Sequence, residues 1–227
     1  MSIYDSSQHF KVDPVNIEPL TPARRREMTR RHLLDAAAAV FARDGFHGAS
    51  LDDVAATAGF TKGAVYSNFK SKEDLFLAVL DDHFEQERGE VQHALGEPLD
   101  ANADKRDEQL PRVLSAIERS FDDDWTALYL EFVLYARRNP ALREKLAARA
   151  RNQFDETIGM LDDVYAGIGG TPNHPLAVLA RVSMALFEGL TLGRLVDPES
   201  YTQDTFTDAL LFLYDTIGVD APPETDE

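Results

Sequence analysis

An all-α fold is predicted by three features of this 227-residue chain. Apolar residues recur at helical spacing through most of it, no alternating run with a hairpin turn appears, and the segments between breaks are about 15 to 30 residues long, the range of a helical bundle. The breaks fall near Gly96 to Asp104, Asp122 to Asp124, Asn139 to Pro140, Gly167 to Pro175 and Asp197 to Ser200. The expected architecture is a three-helix N-terminal domain over residues 21–80 and a larger helical bundle over 81–220, about nine helices in all. Residues 1–20 and 221–227 are expected to be disordered tails.

The first helix is expected to begin near Thr21, with Pro22 at its first position and Leu33, Ala36, Ala37, Val40 and Phe41 as its apolar stripe. Gly45 ends it. Ser50 then caps a second helix, with Asp53 three residues on to complete a capping box. Leu51, Val54, Ala55 and Ala58 repeat at 0, 3, 4 and 7, and Gly59 stands where a helix end needs a left-handed residue. Thr61 caps the third helix, about Lys62 to Phe69, which turns Val65 and Phe69 inward and leaves Lys62, Gly63, Tyr66, Ser67 and Asn68 more nearly outward. Ser71 and Asp74 form another S-x-x-D cap for a fourth helix, whose stripe is Phe76, Val79, Leu80 and Phe84.

Two short helices joined by a glycine turn, followed by a separately capped helix, are how a chain lays a helix end against DNA. In the outward set, Lys62 can donate to guanine or to a phosphate, and Asn68 can serve either role. Gly63 lets backbone approach a duplex, while the rigid Tyr66 hydroxyl suits a phosphate oxygen. Lys72, in the first turn of the fourth helix, opposes the helix dipole unless a phosphate binds beside it. Taken singly, each residue is also an ordinary cap, aromatic or solvated charge; the spacing of the whole set points to DNA.

That set, VFARDGFHGASLDDVAATAGFTKGAVYSNFKSKEDLF, resembles the TetR family of bacterial transcription regulators over roughly Arg26 to Leu80. The resemblance implies a helix-turn-helix DNA-binding domain followed by a ligand-binding and dimerisation domain. It implies phosphate contacts from Ser50, Tyr66 and Lys72, and places Lys62, Gly63, Ser67 and Asn68 nearest the base edges. Arg24, Arg25 and Arg26, with Arg30 and Arg31, form a basic cluster able to grip backbone or enter a minor groove; a solvated helix start is the alternative.

A net charge of −17 is unusual for a nucleic-acid binder. Its distribution resolves the conflict. Residues 21–80 carry 9 Lys or Arg against 7 Asp or Glu, whereas residues 81–227 carry 13 against 30. Beyond about 8 Å those distant carboxylates are largely screened. The chain has no cysteine, which excludes disulfides, thiolate catalysis and Cys-based zinc sites. No run approaches the roughly 18 to 20 apolar residues of a membrane span, and the N-terminus lacks a signal-peptide layout, so the cytoplasm is the expected compartment.

In the second domain, Trp125, Leu128, Tyr129 and Phe132 share a face, with Phe121 and Tyr135 nearby. Family resemblance implies a pocket for a small effector here, and the rings would suit an apolar or aromatic one; the same stripe also suits plain core. Phe187, Phe154, Met160 and Met184 are further pocket candidates, with Arg181, Glu188, Gln153 and His174 as polar ones. Pro175 to Val196 is apolar almost all round and carries Gly189 and Gly193 four apart. Phe206, Leu210, Leu213, Tyr214 and Ile217 form a last stripe. The family dimerises through its last two long helices, which makes Gly189, Leu190, Gly193, Phe206, Leu210, Leu213 and Tyr214 candidate dimer residues. The function implied is a repressor that binds a palindromic operator as a homodimer and is released by the effector.

An enzyme fits poorly: the six histidines are scattered, and neither a metal-ligand pattern, a nucleophile elbow nor a phosphate-binding glycine loop occurs, so no cofactor or metal is expected. A helical interaction module that has lost DNA binding or ligand response is the remaining alternative.

Overall fold

The computed structural model describes residues 21–95, 122–168, 171–217 and 219–220. Eight helices occur among them: α1 (Pro22–Gly48), α2 (Leu51–Ala58), α3 (Lys62–Asn68), α4 (Lys72–Leu95), α5 (Asp123–Arg137), α6 (Pro140–Ile168), α7 (Leu176–Val196) and α8 (Gln203–Ile217). A short antiparallel pair, β1 (Thr171–Pro172) with β2 (Val219–Asp220), joins the segment before α7 to the end of α8, where only helices were expected. Both expected tails, Phe121 and the break at Gly96 to Asp104 lie outside the described residues.

Local chemistry sets the helix ends. The Thr21 hydroxyl accepts from the Arg24 N–H at 3.2 Å, with Pro22 next to it. Gly45 interrupts α1 rather than ending it. Its φ of 70° and ψ of 171° break the helical path, and one further turn closes when the Ala49 N–H donates to the Gly45 carbonyl. That offset turns Phe46 into the core, where it is 1% exposed. Gly59 ends α2 in the left-handed conformation, φ 70° and ψ 24°. Asp122 caps α5 by accepting from the Asp124 and Trp125 N–H groups.

One core runs through the first six helices. Leu33, Ala37, Val40 and Phe41 of α1, Val54 of α2, Val65 of α3 and Leu75, Phe76 and Leu80 of α4 are buried together with Leu128, Phe132 and Ala136 of α5 and Leu142 of α6. Phe76 is at its centre, 5.0 Å from Phe41, 5.3 Å from Phe46 and 4.2 Å from Phe132. Each fully buried ring contributes roughly 1.5–3 kcal/mol through burial, with a further ~0.5–1.5 kcal/mol for well-oriented pairs. α4 passes residue 80, the expected domain boundary, without interruption.

The last helices are covered more thinly. Tyr165 and Leu179 bury each other between α6 and α7, and Leu190 and Phe206 do so between α7 and α8. α7 is the one described helix long and apolar enough to cross a membrane by length and composition, with a mean hydropathy of 1.5, against the expectation of no such run. The reason is visible in its faces. Val178, Val182, Ala185, Gly189, Leu192 and Val196, spaced alternately four and three, form one exposed apolar stripe opposite the buried side.

Three dimer candidates have partners within the protomer. Leu190 and Phe206, 8% and 1% exposed, are spent on each other within the protomer. Gly193 is covered by the Tyr201 ring of its own chain, which would lie 2.4 Å from an added Cβ. Gly189 differs, because an added Cβ there meets nothing within 4 Å. Leu213 is partly exposed, and the side chains of Leu210, Tyr214 and Ile217 lie outside the described residues.

Candidate nucleic-acid interface

Helices α2 and α3, joined at Gly59, present the candidate interface. Val65 and Phe69 anchor α3 in the core at 0% and 1% exposure, and this rotation turns Tyr66 out to 52%. No part of the described protomer covers that side. Thr61 caps α3, its hydroxyl accepting from the Ala64 N–H. Gly63 has no positive φ, and a Cβ there would meet only Thr61 Oγ1 at 3.8 Å. The fold itself therefore makes no demand for glycine at 63.

The polar side chains have partners within the protein. Lys62 Nζ donates to Asp52 Oδ2 at 2.6 Å, and that hydrogen bond holds the ammonium above its usual pKa. Ser67 Oγ and Asn68 Nδ2 each donate to the Ala64 carbonyl at 2.8 Å, folding back on α3. Ser50 Oγ accepts from the Asp53 N–H at 3.1 Å and donates to the Asp53 carboxylate at 2.5 Å, so its hydroxyl must turn to donate to a phosphate. The box is thus completed through the hydroxyl, not through the Ser50 backbone. Likewise, Asp74 N–H reaches Ser71 Oγ while the Asp74 carboxylate takes the Lys70 N–H.

Lys72 does not stand bare against the α4 dipole. Its Nζ donates to the His47 carbonyl at 3.2 Å and the Ala49 carbonyl at 3.0 Å, and lies 4.8 Å from the Phe46 ring centre. Those carbonyls end α1, so the cation complements the negative end of one helix while opening another. Arg24, Arg25 and Arg26 are exposed in the first turn of α1. Arg30 lies over the Phe69 ring at 4.6 Å, and Arg31 pairs with Asp35 and with Asp82 of α4, so these two brace the domain.

Across the core from this surface, Trp125 packs against His83, their ring centres 3.9 Å apart and their planes tilted by 33°, and Tyr129 meets Phe84 edge-on at 6.3 Å. Burial, followed by the nearby Glu188 charge, raises the Tyr129 hydroxyl pKa. Leu128 and Phe132, on the same face of α5, are buried deeper in the shared core at 4% and 0% exposure, and Phe187 packs beside Leu190 and Phe206. Arg181 covers the Phe154 ring at 3.9 Å instead of reaching Glu188. No cluster that could hold a metal ion occurs among the described residues.

Sequence reasoning missed Glu131. Its carboxylate accepts the Phe46 N–H at Oε2 and the His47 N–H at Oε1, both at 3.0 Å, tying α5 to the turn after Gly45. A signal was present: positions 128, 131, 132 and 135 fall at 0, 3, 4 and 7, so a carboxylate on this apolar stripe demands a partner. Tyr135 adds a second tie, its hydroxyl donating to Glu73 Oε1 at 2.8 Å.

Comparison with known proteins agrees with this geometry. Residues 33–79 match the model for bacterial regulatory proteins of the tetR family, and residues 101–215 that for the Tetracyclin repressor-like C-terminal domain. The HTH-type transcriptional regulator CymR of Pseudomonas putida is 30% identical over 151 residues, 65% of this chain and 68% of that one. The HTH-type transcriptional activator FasR of Mycolicibacterium smegmatis is 37% identical over 97 residues, 43% and 41% of the two chains. A TetR-family structure from Rhodococcus sp. superposes with a TM-score of 0.67 at 22% identity, covering 84% of this chain and 98% of that one. The chain belongs to the TetR family of transcription regulators, with a helix-turn-helix DNA-binding domain and no enzymatic role.

Proposed function

We propose that this regulator is a repressor that binds a palindromic operator as a homodimer and releases it when a small apolar or aromatic effector binds. The observation that carries the DNA half is the outward reader end of α3, with Tyr66 half exposed and Gly63 unused by the fold. In this reading Ser50, Tyr66 and Lys72 hold phosphates, and Lys62, Gly63, Ser67 and Asn68 lie nearest the bases. Arg24, Arg25 and Arg26 form the arm. One reader helix contacts too few base pairs for tight specific binding, which favours a two-fold pair on adjacent half-sites.

The partner surface is the α7 stripe Val178, Val182, Ala185, Gly189, Leu192 and Val196, exposed and apolar in the single protomer. A second copy of α7 would cover it, with Gly189 allowing close approach. The effector would lie beside Trp125 and Tyr129, between α4, α5 and α7, where Glu188 and His83 offer polar contacts. It would act by population shift, favouring the arrangement that cannot span two half-sites. The compartment is the cytoplasm, where bacterial operator DNA lies.

Selection of duplexes from a random-sequence pool, followed by anisotropy titration, tests the reading. An inverted-repeat consensus bound at about 10⁻⁸ M or tighter at physiological salt is expected. Failure of the full chain to enrich any duplex would overturn it. Because FasR is an activator, transcription from the selected site with and without the protein decides the sign.

A further inference from the structure

One short turn is gripped from two directions. Between Gly45 and Ser50, the Phe46 and His47 N–H groups go to the Glu131 carboxylate of α5. The His47 and Ala49 carbonyls go to the Lys72 ammonium at the start of α4. Glu131 and Lys72 therefore act on opposite sides of one peptide segment without touching each other. Gly45 makes this possible: its φ is +70°, and a Cβ would lie 2.9 Å from Glu131 Oε2. Phe46 locks the turn from within, its ring 4.9 Å from both Phe132 and Tyr135.

We propose that Glu131 is a positioning residue for DNA binding: its grip on the Phe46–His47 amides sets the turn whose carbonyls hold Lys72 in place for a phosphate. This rests on the reading of Lys72 as a phosphate contact. α5 is a rigid helix that also carries Trp125 and Tyr129, so displacement of α5 by an occupant beside those rings pulls directly on the turn. That route reaches the reader without passing along α4. A carboxylate bound to two backbone amides is a charge-assisted, directional pair, and a shift of about 1 Å takes both bonds beyond hydrogen-bonding length. With its carbonyls displaced, the Lys72 ammonium loses the two acceptors that fix its position.

Two measurements test this on the full chain. Amide exchange without DNA reads the grip itself. Glu131→Gln, which keeps size and removes charge, should speed exchange at Phe46 and His47 by about tenfold while α7 is unchanged. Unchanged exchange at both amides overturns the proposal whatever the DNA results.

The second measurement is a double-mutant cycle on the duplex selected by the wild-type protein, across a range of salt. Glu131→Gln should weaken binding about tenfold and lower the salt slope by about one, as loss of one phosphate contact does. In a Lys72→Met background, the same change should weaken binding less than about twofold. Equal effects in both backgrounds, or an unchanged salt slope, would mean that Glu131 serves stability alone and overturn the proposal. If the wild-type chain selects no duplex, the DNA reading and the proposal fall together, and the exchange data still report whether the grip exists.

Discussion

Lys62 Nζ lies 2.6 Å from Asp52 Oδ2, so the lysine that opens the recognition helix is held by the preceding helix when no DNA is present. Both side chains are more than half exposed, and the pair is a surface contact open to exchange. A base edge or phosphate must compete with Asp52 for this ammonium. Asp52→Asn should therefore tighten binding to all duplexes by a few-fold, with the gain shrinking as salt rises. Lys62→Ala should instead relax choice at one base pair by about tenfold. Anisotropy titrations on the selected duplex and its single-base variants separate the two effects; loss of affinity in Asp52→Asn would mean that the pair orders Lys62 for binding.

Gly63 offers the cleanest separation of fold from function. Its backbone is helical, and an added methyl meets nothing closer than 3.8 Å. Gly63→Ala should leave stability unchanged or raise it by up to about 1 kcal/mol, from helix propensity. DNA affinity should nevertheless fall by about tenfold or more, because the methyl projects toward the approaching duplex. Thermal melting and DNA titration on the same preparation check this, and unimpaired binding would remove Gly63 from the interface.

How much of this was legible in the sequence follows the range of each interaction. Ser50, Thr61, Ser71 and Gly59 act within three or four residues of themselves, so spacing reveals their roles. The periodicity of α5 identified an inward face but not what covers it, so Phe132, a candidate pocket residue, sits instead against Phe76. The same ambiguity placed Leu190 and Phe206 at a dimer surface, although each covers the other. Glu131 and Lys72 were hardest because their partners are backbone groups 84 or 85 and 23 or 25 residues away, where no side-chain pattern marks them.

The Tyr135–Glu73 bond makes the join between α4 and α5 sensitive to acid. Burial pushes the Glu73 carboxyl up, but its own backbone amide, the Ser71 and Tyr135 hydroxyls and the Lys72 charge outweigh it and hold the group below its usual range. A carboxyl depressed on folding contributes stability that is present above its unfolded pKa, about 4.3, and is lost as pH falls through the folded value. Unfolding monitored from pH 7 down to 3 should show this loss, and Glu73→Gln should flatten the profile. Tyr135→Phe should cost about 0.5–1.5 kcal/mol at neutral pH, the worth of one hydrogen bond. A wild-type profile matched by Glu73→Gln would refute the assignment.

Leu192 sits on the exposed stripe of α7, one turn from Gly189, and 48% of its surface is open to solvent in the single protomer. A substitution there hardly disturbs the protomer core. If two copies of α7 meet across a two-fold axis, Leu192→Glu places a carboxylate from each copy in a desolvated apolar contact. Burying an unpaired charge is expensive, and the two copies also repel. Analytical ultracentrifugation should show the wild-type chain as a dimer and the variant as a monomer at micromolar concentration, with unchanged helical circular dichroism. Operator affinity should fall with it, because a monomer engages one half-site only. A variant that stays dimeric would move the interface away from this face of α7 and toward α8.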